Sequence, residues 1–173
     1  MCNYFSCIVT KDLKVHWSKK TMSHDELIAE LKLEDKTLEE RDFVRIEITP
    51  KTKDIITRNP DDWQLKLDEV RTLPAWYEKN TLAIQKNCWQ AWNESIHISL
   101  LLEHEETEQT DTLLYAYGSA KAVLHGSANA ELYDSAKAEL KSDFCVVLCH
   151  RKILVTEKAT VIRTSQVDSS KIS

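Results

Sequence analysis

The chain has very little glycine, and this excludes several common types of site. Gly118 and Gly126 are the only glycines among its 173 residues. Loops that bind phosphate through their backbone need glycine, because the backbone amides must approach the phosphate closely. No Walker loop, Gly-x-Gly-x-x-Gly or Gly-x-Ser-x-Gly pattern occurs. A backbone phosphate cradle and the familiar motifs of nucleotide-dependent enzymes and hydrolases are therefore absent.

Long apolar runs are also missing, and the N-terminus lacks the apolar segment of a signal peptide. We expect neither a signal peptide nor a membrane span. The net charge of −5 argues against a general nucleic-acid coat. The five cysteines are an odd number without the spacing of a disulfide framework, which is typical of reduced thiols in a cytoplasmic protein.

What the chain does contain is an eight-residue repeat. Three units follow one another without a gap over 118–125, 126–133 and 134–141, and a degraded fourth unit covers 142–149. Each complete unit has a turn residue, then Ser-Ala-x-Ala-x-Leu-x. The Ala, Ala and Leu positions alternate with mostly polar ones, and this period of two predicts β-strands with one buried face. Gly-Ser and Asp-Ser between the strands suit tight turns.

The frame of the repeat makes further predictions about its core. It places the first alanine of each unit in one buried ladder. In the fourth unit it puts Phe144, Val146 and Leu148 in the core, with Cys145 and Cys149 on the opposite face. Identical residues at identical positions favour a β-solenoid, in which like residues stack on one another. The alternative is an antiparallel meander with two-residue hairpin turns.

The predicted fold class is α+β, with a small α+β head followed by a short, β-solenoid-like repeat module. We divide the chain into a head with two helices over 1–97, an acidic connector over 98–111, the octapeptide β-repeat module over 112–164 and a disordered tail over 165–173. Alternation and capping signals within the head predict strands and helices. In order, these are strands at 4–9 and 15–17, a helix at about 24–33, strands at 43–48 and 63–67, and a helix at about 75–93.

Four segments of the head carry a resemblance to a known group. Tyr4–Val9, Val15–Trp17, Ser23–Glu26 and Leu73–Trp76 resemble segments of uncharacterised bacterial and phage proteins, in which a small α+β head precedes β-solenoid repeats of the Gly-Ser/Asn-Ala-x-Val/Ala type. The similarity covers most of the chain. It implies an accessory protein of a phage or mobile element. It assigns no functional residue, because the group has no established activity.

Candidate catalytic and metal chemistry is sparse. Removal of Met1 would expose Cys2, whose amine could act as the base for its own thiol. Families with such a nucleophile continue with glycine-rich sequence, which is missing here. Cys145, Cys149 and His150 form no paired Cys-x-x-Cys motif and do not complete a four-ligand set. We therefore predict no catalytic residue, no metal site and no cofactor, and an enzyme that uses Cys2 remains the competing hypothesis.

The tryptophans are the best indication of binding, because all five lie in the first 97 residues. Tryptophan and arginine are common anchors of interfaces and stack on planar ligands. The predicted binding residues are Trp17, Arg45, Arg58 and Lys66. The simpler alternative is that tryptophans such as Trp63, Trp76 and Trp92 fill a small core.

These observations predict a non-catalytic binding or assembly protein, acting on a host component. We expect a cytoplasmic homo-oligomer formed through the repeat module, with a host protein as a candidate partner and no membrane or nucleic-acid partner. The alternative within binding is sequestration of a small anionic ligand, such as a signalling nucleotide. If the head does not bind, the expected site is the repeat face with Lys121, Asn129 and Lys137.

Overall fold

The computed structural model describes residues 5–34, 41–52, 57–68 and 72–150, and the backbone of 160–163. The chain forms two compact units, which we call the head (Met1–Ile98) and the solenoid (Ser99–Ser173). The elements in chain order are β1 Phe5–Thr10, β2 Val15–His16, α1 His24–Glu30, β3 Phe43–Pro50, β4 Trp63–Leu67, α2 Ala75–Ser99, β5 Leu100–Leu101, β6 Glu106–Thr110, β7 Leu113–Ala116, β8 Lys121–His125, β9 Asn129–Leu132, β10 Lys137–Leu140, β11 Val146–Cys149 and β12 Thr160–Arg163. The predictions for Cys2 and for the tail fall outside the described residues.

The predicted fold class is confirmed: an α+β head precedes a short β-solenoid. The head contains one antiparallel sheet in the order β2-β1-β3-β4. On one face of this sheet, Ile8 and Phe43 form a buried cluster with Leu27 of α1. We call it the α1 face. Because side chains alternate along a strand, the residues next to Ile8 and Phe43 in sequence lie on the other face of the sheet. On that face, Trp63 of β4 packs against Trp92 of α2, with 5.3 Å between the ring centroids. This second face is the α2 face.

Both helices of the head differ in length from the predicted ones. Ser23 caps α1, and its Oγ accepts a hydrogen bond of 3.3 Å from the backbone N–H of Glu26. The helix ends earlier than predicted, at Glu30, because Lys32 takes a left-handed backbone with φ of 53°. Helix α2 continues beyond the predicted residue 93 to Ser99, since no glycine or proline interrupts it. Among the described residues, no helix is both long and apolar enough to span a membrane.

Each octapeptide of the repeat forms half a coil of the solenoid. Successive octapeptides enter two different parallel sheets, one in the order β10-β8-β6 and the other in the order β12-β11-β9-β7-β5. Lys121 therefore pairs with Lys137, sixteen residues and two octapeptides later. Because these pairs are parallel, the antiparallel meander is wrong.

The core between the two sheets is thin, because small side chains fill most of it. Ala120, Ala128 and Ala136 are each buried, as the repeat predicts. They do not form one ladder, however, because Ala128 precedes β9 and the other two precede strands of the opposite sheet. Within each sheet, equivalent inward positions therefore recur every sixteen residues rather than every eight.

The fourth unit is shifted by one residue from the predicted frame. Asn129 of β9 pairs with Val146 of β11, which is a step of seventeen residues instead of sixteen. The extra residue exchanges the two faces of the strand, so the prediction for this unit is wrong. Its buried side chains are those of Cys145, Val147 and Cys149. The outward side chains are those of Phe144, which is 78% exposed, and of Val146 and Leu148, which are half-buried.

The segment predicted to be an acidic connector over 98–111 contains two strands of the solenoid. β5 pairs with β7, and β6 pairs with β8. The inward positions of β6 are Thr107 and Gln109, which are linked by a hydrogen bond of 3.0 Å from Nε2 of Gln109 to Oγ1 of Thr107. Polar side chains thus cover the start of this core, and the same polarity made the strand look like a loop.

The corners between consecutive strands from β5 to β11 contain two to five residues, whereas the repeat predicted two. Within the solenoid, the described residues with a left-handed backbone recur at these corners, with φ between 48° and 64°: Glu103, Asp111, Gly118, Gly126 and Asp134. Glycine adopts this conformation without strain, and aspartate tolerates it better than most residues. The turn residue at the start of each complete octapeptide is therefore the residue that bends the chain into the next sheet.

Candidate functional site

Trp17 lies on the α2 face of the head, beside a shallow groove. Its ring is 6.3 Å from that of Phe5, measured between centroids. The groove has a volume of about 390 Å³ and runs between the β1–β2 turn and α2, where Gln90 and Glu94 line it. Asn87 fixes this arrangement by donating a hydrogen bond of 3.1 Å from Nδ2 to the carbonyl oxygen of Leu13.

Arg45 and Lys66 lie on the opposite, α1 face of the sheet. The guanidinium carbon of Arg45 is 5.3 Å from the centroid of the Phe43 ring. Lys66 faces the same side, because it pairs in register with Glu47. The sheet therefore separates Trp17 from Arg45 and Lys66. Arg58, the fourth predicted residue, is half-buried in the segment that joins β3 to β4.

The α1 face also carries a cluster that the sequence did not predict. His24, Glu47 and Asp68 each offer one ligand atom, and these atoms all lie within 4.8 Å of one another. His24 is the first residue of α1, Glu47 lies on β3, and Asp68 directly follows β4. His24 is only 5% exposed, whereas half of the Asp68 side chain is open to solvent.

Hydrogen bonds hold both nitrogens of the His24 ring. Nδ1 is 3.0 Å from Oδ2 of Asp68, and Nε2 is 3.2 Å from the backbone carbonyl oxygen of Ile46. The buried ring is thus fixed between an exposed carboxylate and the backbone of β3. In sequence, His24 looked like one residue of a helix cap, and only the strand register reveals its partners.

The outward face of the three-stranded sheet carries a larger groove, of about 670 Å³. Its charged residues pair along the direction in which the strands stack. Lys121 Nζ is 2.5 Å from Oε1 of Glu106, and His125 Nε2 is 2.7 Å from Oε1 of Glu108. The hydrogen bond from Lys121 lowers the pKa of Glu106. Asn129, predicted to share a face with Lys121 and Lys137, lies in the other sheet.

On the five-stranded sheet, three aromatic rings stack along one column of corners. The centroids of Tyr117 and Tyr133 are 4.4 Å apart, and those of Tyr133 and His150 are 4.2 Å apart, with nearly parallel planes. Glu131 accepts hydrogen bonds from the Tyr133 hydroxyl and from His150 Nε2, at 2.7 and 2.9 Å. Three apolar side chains point outward from β11 and from the corner before it, and we call them the apolar patch: Phe144 in the corner, and Val146 and Leu148 on the strand.

The thiols of the described residues are all buried, at Cys7, Cys88, Cys145 and Cys149. Burial raises the pKa of the Cys7 thiol well above its ordinary value, and the adjacent Cys88 thiol raises it further. Because the thiolate is the nucleophilic form, a neutral and buried thiol does not suit catalysis. The hypothesis of a Cys2 nucleophile concerns a residue outside the described part of the chain.

Comparison with known proteins assigns no relative to this chain: no family model, no curated protein and no solved structure matches it.

Proposed function

We propose that this protein is a non-catalytic binding and assembly protein, which forms homo-oligomers through the apolar patch of its solenoid. The observation that supports this most directly is the outward position of Phe144, which is 78% exposed. Val146 and Leu148, both half-buried, extend the patch along β11, which begins two residues after Phe144. A contiguous apolar patch at the surface is typical of an interaction site.

The surroundings of the patch favour a second copy of the chain as the occupant. A flat, regular sheet face packs well against an identical face, since outward residues are evenly spaced on both. The apolar residues adjoin polar ones in the neighbouring strand, where Asn129 pairs with Val146 and Glu131 with Leu148. An apolar centre with a polar border is the usual composition of an interface.

The assembly is tested by light scattering on the size-fractionated protein at micromolar concentration. We expect a dimer or larger species for the wild type, and a shift towards monomer for Phe144→Ser. Loss of a buried phenylalanine contact is worth about 1.5–3 kcal/mol, which weakens association by roughly tenfold or more. Leu82→Ser is the matched control, because Leu82 is equally exposed, at 83%, but lies on α2.

Two results would contradict this proposal. A monomeric wild type at these concentrations would exclude the assembly. Dissociation by Leu82→Ser but not by Phe144→Ser would place the interface on α2 instead.

A second candidate function is sequestration of a small anionic ligand in the groove beside Trp17. The groove brings Trp17 together with Lys14, which offer a stacking surface and one cationic donor to an anion, although Lys14 also pairs with Asp12 at 2.8 Å. The His16 side chain lies on the other face of the sheet, 3.2 Å from the Thr10 hydroxyl. We expect mass spectrometry to detect an anion such as a nucleotide when the purified protein is denatured, and Trp17→Ala to abolish its retention. Arg45→Ala is the control that should retain the anion, because Arg45 lies on the other face of the sheet.

Action on a host component, as an accessory protein of a phage or mobile element, stays a prediction based on the resemblance described above. Cytoplasmic localisation likewise stays a prediction. The experiments above test binding and assembly without depending on either.

A further inference from the structure

The hydrogen bonds of His24 determine which of its ring nitrogens carries a hydrogen. Nε2 lies 3.2 Å from the carbonyl oxygen of Ile46. A carbonyl oxygen only accepts hydrogen bonds, so Nε2 must be the donor. In the neutral imidazole, Nδ1 therefore presents its lone pair to Oδ2 of Asp68, which is 3.0 Å away.

A lone pair and a carboxylate oxygen repel each other at this distance unless a cation lies between them. One solution is a proton on Nδ1, which gives an imidazolium–carboxylate ion pair. The other is a metal ion. Glu47 favours the second solution, because it brings a second carboxylate to within 4.8 Å of the same atoms. A single proton on Nδ1 compensates one carboxylate, whereas a divalent ion compensates both.

The spacing of His24 and Asp68 matches that of two ligands of a small transition-metal ion. Ligand atoms that are about 2.0–2.2 Å from such an ion lie roughly 2.8–3.1 Å from one another in octahedral coordination and roughly 3.3–3.6 Å in tetrahedral coordination, which together span about 2.8–3.6 Å. The distance between Nδ1 of His24 and Oδ2 of Asp68 is within this range. The Glu47 carboxylate lies within 4.8 Å of the same atoms and completes the set by moving closer to them. Solvent reaches the cluster through Asp68, whose side chain is half exposed, so an ion has a path of entry.

The backbone around His24 provides the support that metal sites usually have. Histidines that bind metals almost always donate their second N–H to a carbonyl or carboxylate, which fixes the orientation of the ring. The Ile46 carbonyl oxygen accepts this hydrogen bond, and burial keeps the His24 ring from turning. Arg45 and Lys66 lie on the same face of the sheet.

We propose that His24, Glu47 and Asp68 bind a divalent first-row transition-metal ion such as Zn²⁺, with Nδ1 of His24 as the nitrogen ligand. One imidazole and two carboxylates form a mixed nitrogen and oxygen set, which suits Zn²⁺ or Mn²⁺ better than the all-oxygen preference of Ca²⁺ or Mg²⁺. Three protein ligands leave at least one position of the ion open to water.

The test uses the full-length protein after removal of metals by a chelator and desalting. We expect isothermal titration to show uptake of one equivalent of Zn²⁺. Co²⁺ is the spectroscopic probe, and its visible bands should appear without the intense near-ultraviolet absorption of thiolate coordination. Asp68→Asn and Glu47→Gln should each lower the affinity for Zn²⁺ by at least about tenfold. Asp25→Asn is the matched control, because it removes an exposed carboxylate one residue from His24 and should bind as the wild type does.

Because His24 is buried, its own substitution could unfold the head, and the half-exposed Asp68 gives the safer variant. Circular dichroism of Asp68→Asn checks that the fold is intact. No saturable uptake of Zn²⁺ by the wild type would overturn the proposal in favour of a simple imidazolium–carboxylate pair. Thiolate absorption in the Co²⁺ spectrum, or unchanged affinity in both carboxamide variants, would also overturn it.

Discussion

Replacing Ala130 with leucine is expected to destabilise the solenoid by about 1–3 kcal/mol. Ala130 is 3% exposed and lies in an inward column between Leu114 and Val147, its partners in the two neighbouring strands. Both partners are larger than alanine, so the column alternates large, small, large. A leucine at the centre has no space unless its neighbours move or the two sheets separate, and either response loses packing contacts.

The measurement is urea unfolding followed by far-ultraviolet circular dichroism. The matched control is Asn129→Leu, which adds a leucine one position earlier in the same strand, where the side chain is outward and exposed. We expect the control to change stability by less than about 0.5 kcal/mol. Because all five tryptophans lie in the head, native tryptophan emission verifies that the head of each variant is folded. Equal losses in the two variants would show that Ala130 does not face a tightly packed core.

The repeat predicted the solenoid because its chemistry is local. Ala-x-Ala-x-Leu alternates with the period of a strand, and a turn residue follows at each eighth position, so the strands, the positions of the corners and the buried faces of the three complete units could be read from the sequence. The number of octapeptides in each coil could not be read from the sequence. The second octapeptide could pair with the first in one sheet or enter the opposite sheet. The outcome depends on how the chain bends at the corner, and the left-handed backbone of Gly118 and Gly126 determines that bend.

The errors at the two ends of the repeat have a common cause. In the fourth unit, one added residue exchanged the faces of the strand, and hydrophobicity gave no warning because Cys145, Val147 and Cys149 are as apolar as the outward residues. In β6 the inward residues Thr107 and Gln109 are polar, so no buried face was visible in the sequence. Coils away from the centre of the repeat depart from its pattern, because they meet surroundings that the central coils do not.

The candidate sites of the head depend on tertiary pairing, which sequence patterns do not contain. Trp17 and Arg45 looked similar in sequence, as polar-tipped residues at strand ends or on a solvent face, yet the sheet places them on opposite sides. His24, Glu47 and Asp68 looked unrelated, because they are separated by more than twenty residues at each step. The register of β3 with β4 and the position of α1 bring them together.

Replacing Gly126 with alanine is expected to cost the solenoid about 2–3 kcal/mol of unfolding free energy. Gly126 has a φ of 62°, and a left-handed backbone costs about 1–2 kcal/mol for a residue with a Cβ. A Cβ built at this position would lie 2.3 Å from Oδ1 of Asp111 in the preceding coil, so that carboxylate must move. The same oxygen accepts hydrogen bonds from the backbone N–H and the hydroxyl of Ser127, at 2.8 and 3.0 Å. Weakening these bonds adds about 1 kcal/mol.

A double-mutant cycle separates the two contributions to this loss. In the Asp111→Ala background the carboxylate is already gone, so Gly126→Ala should cost only the left-handed strain of about 1–2 kcal/mol. The cost is measured in each background by urea unfolding. An equal cost in both backgrounds would mean that the close approach to Asp111 does not require the glycine. A cost near zero in the wild-type background would show that this corner relaxes freely, and the stacking of Gly126 beneath Asp111 would then play no part in holding successive coils together.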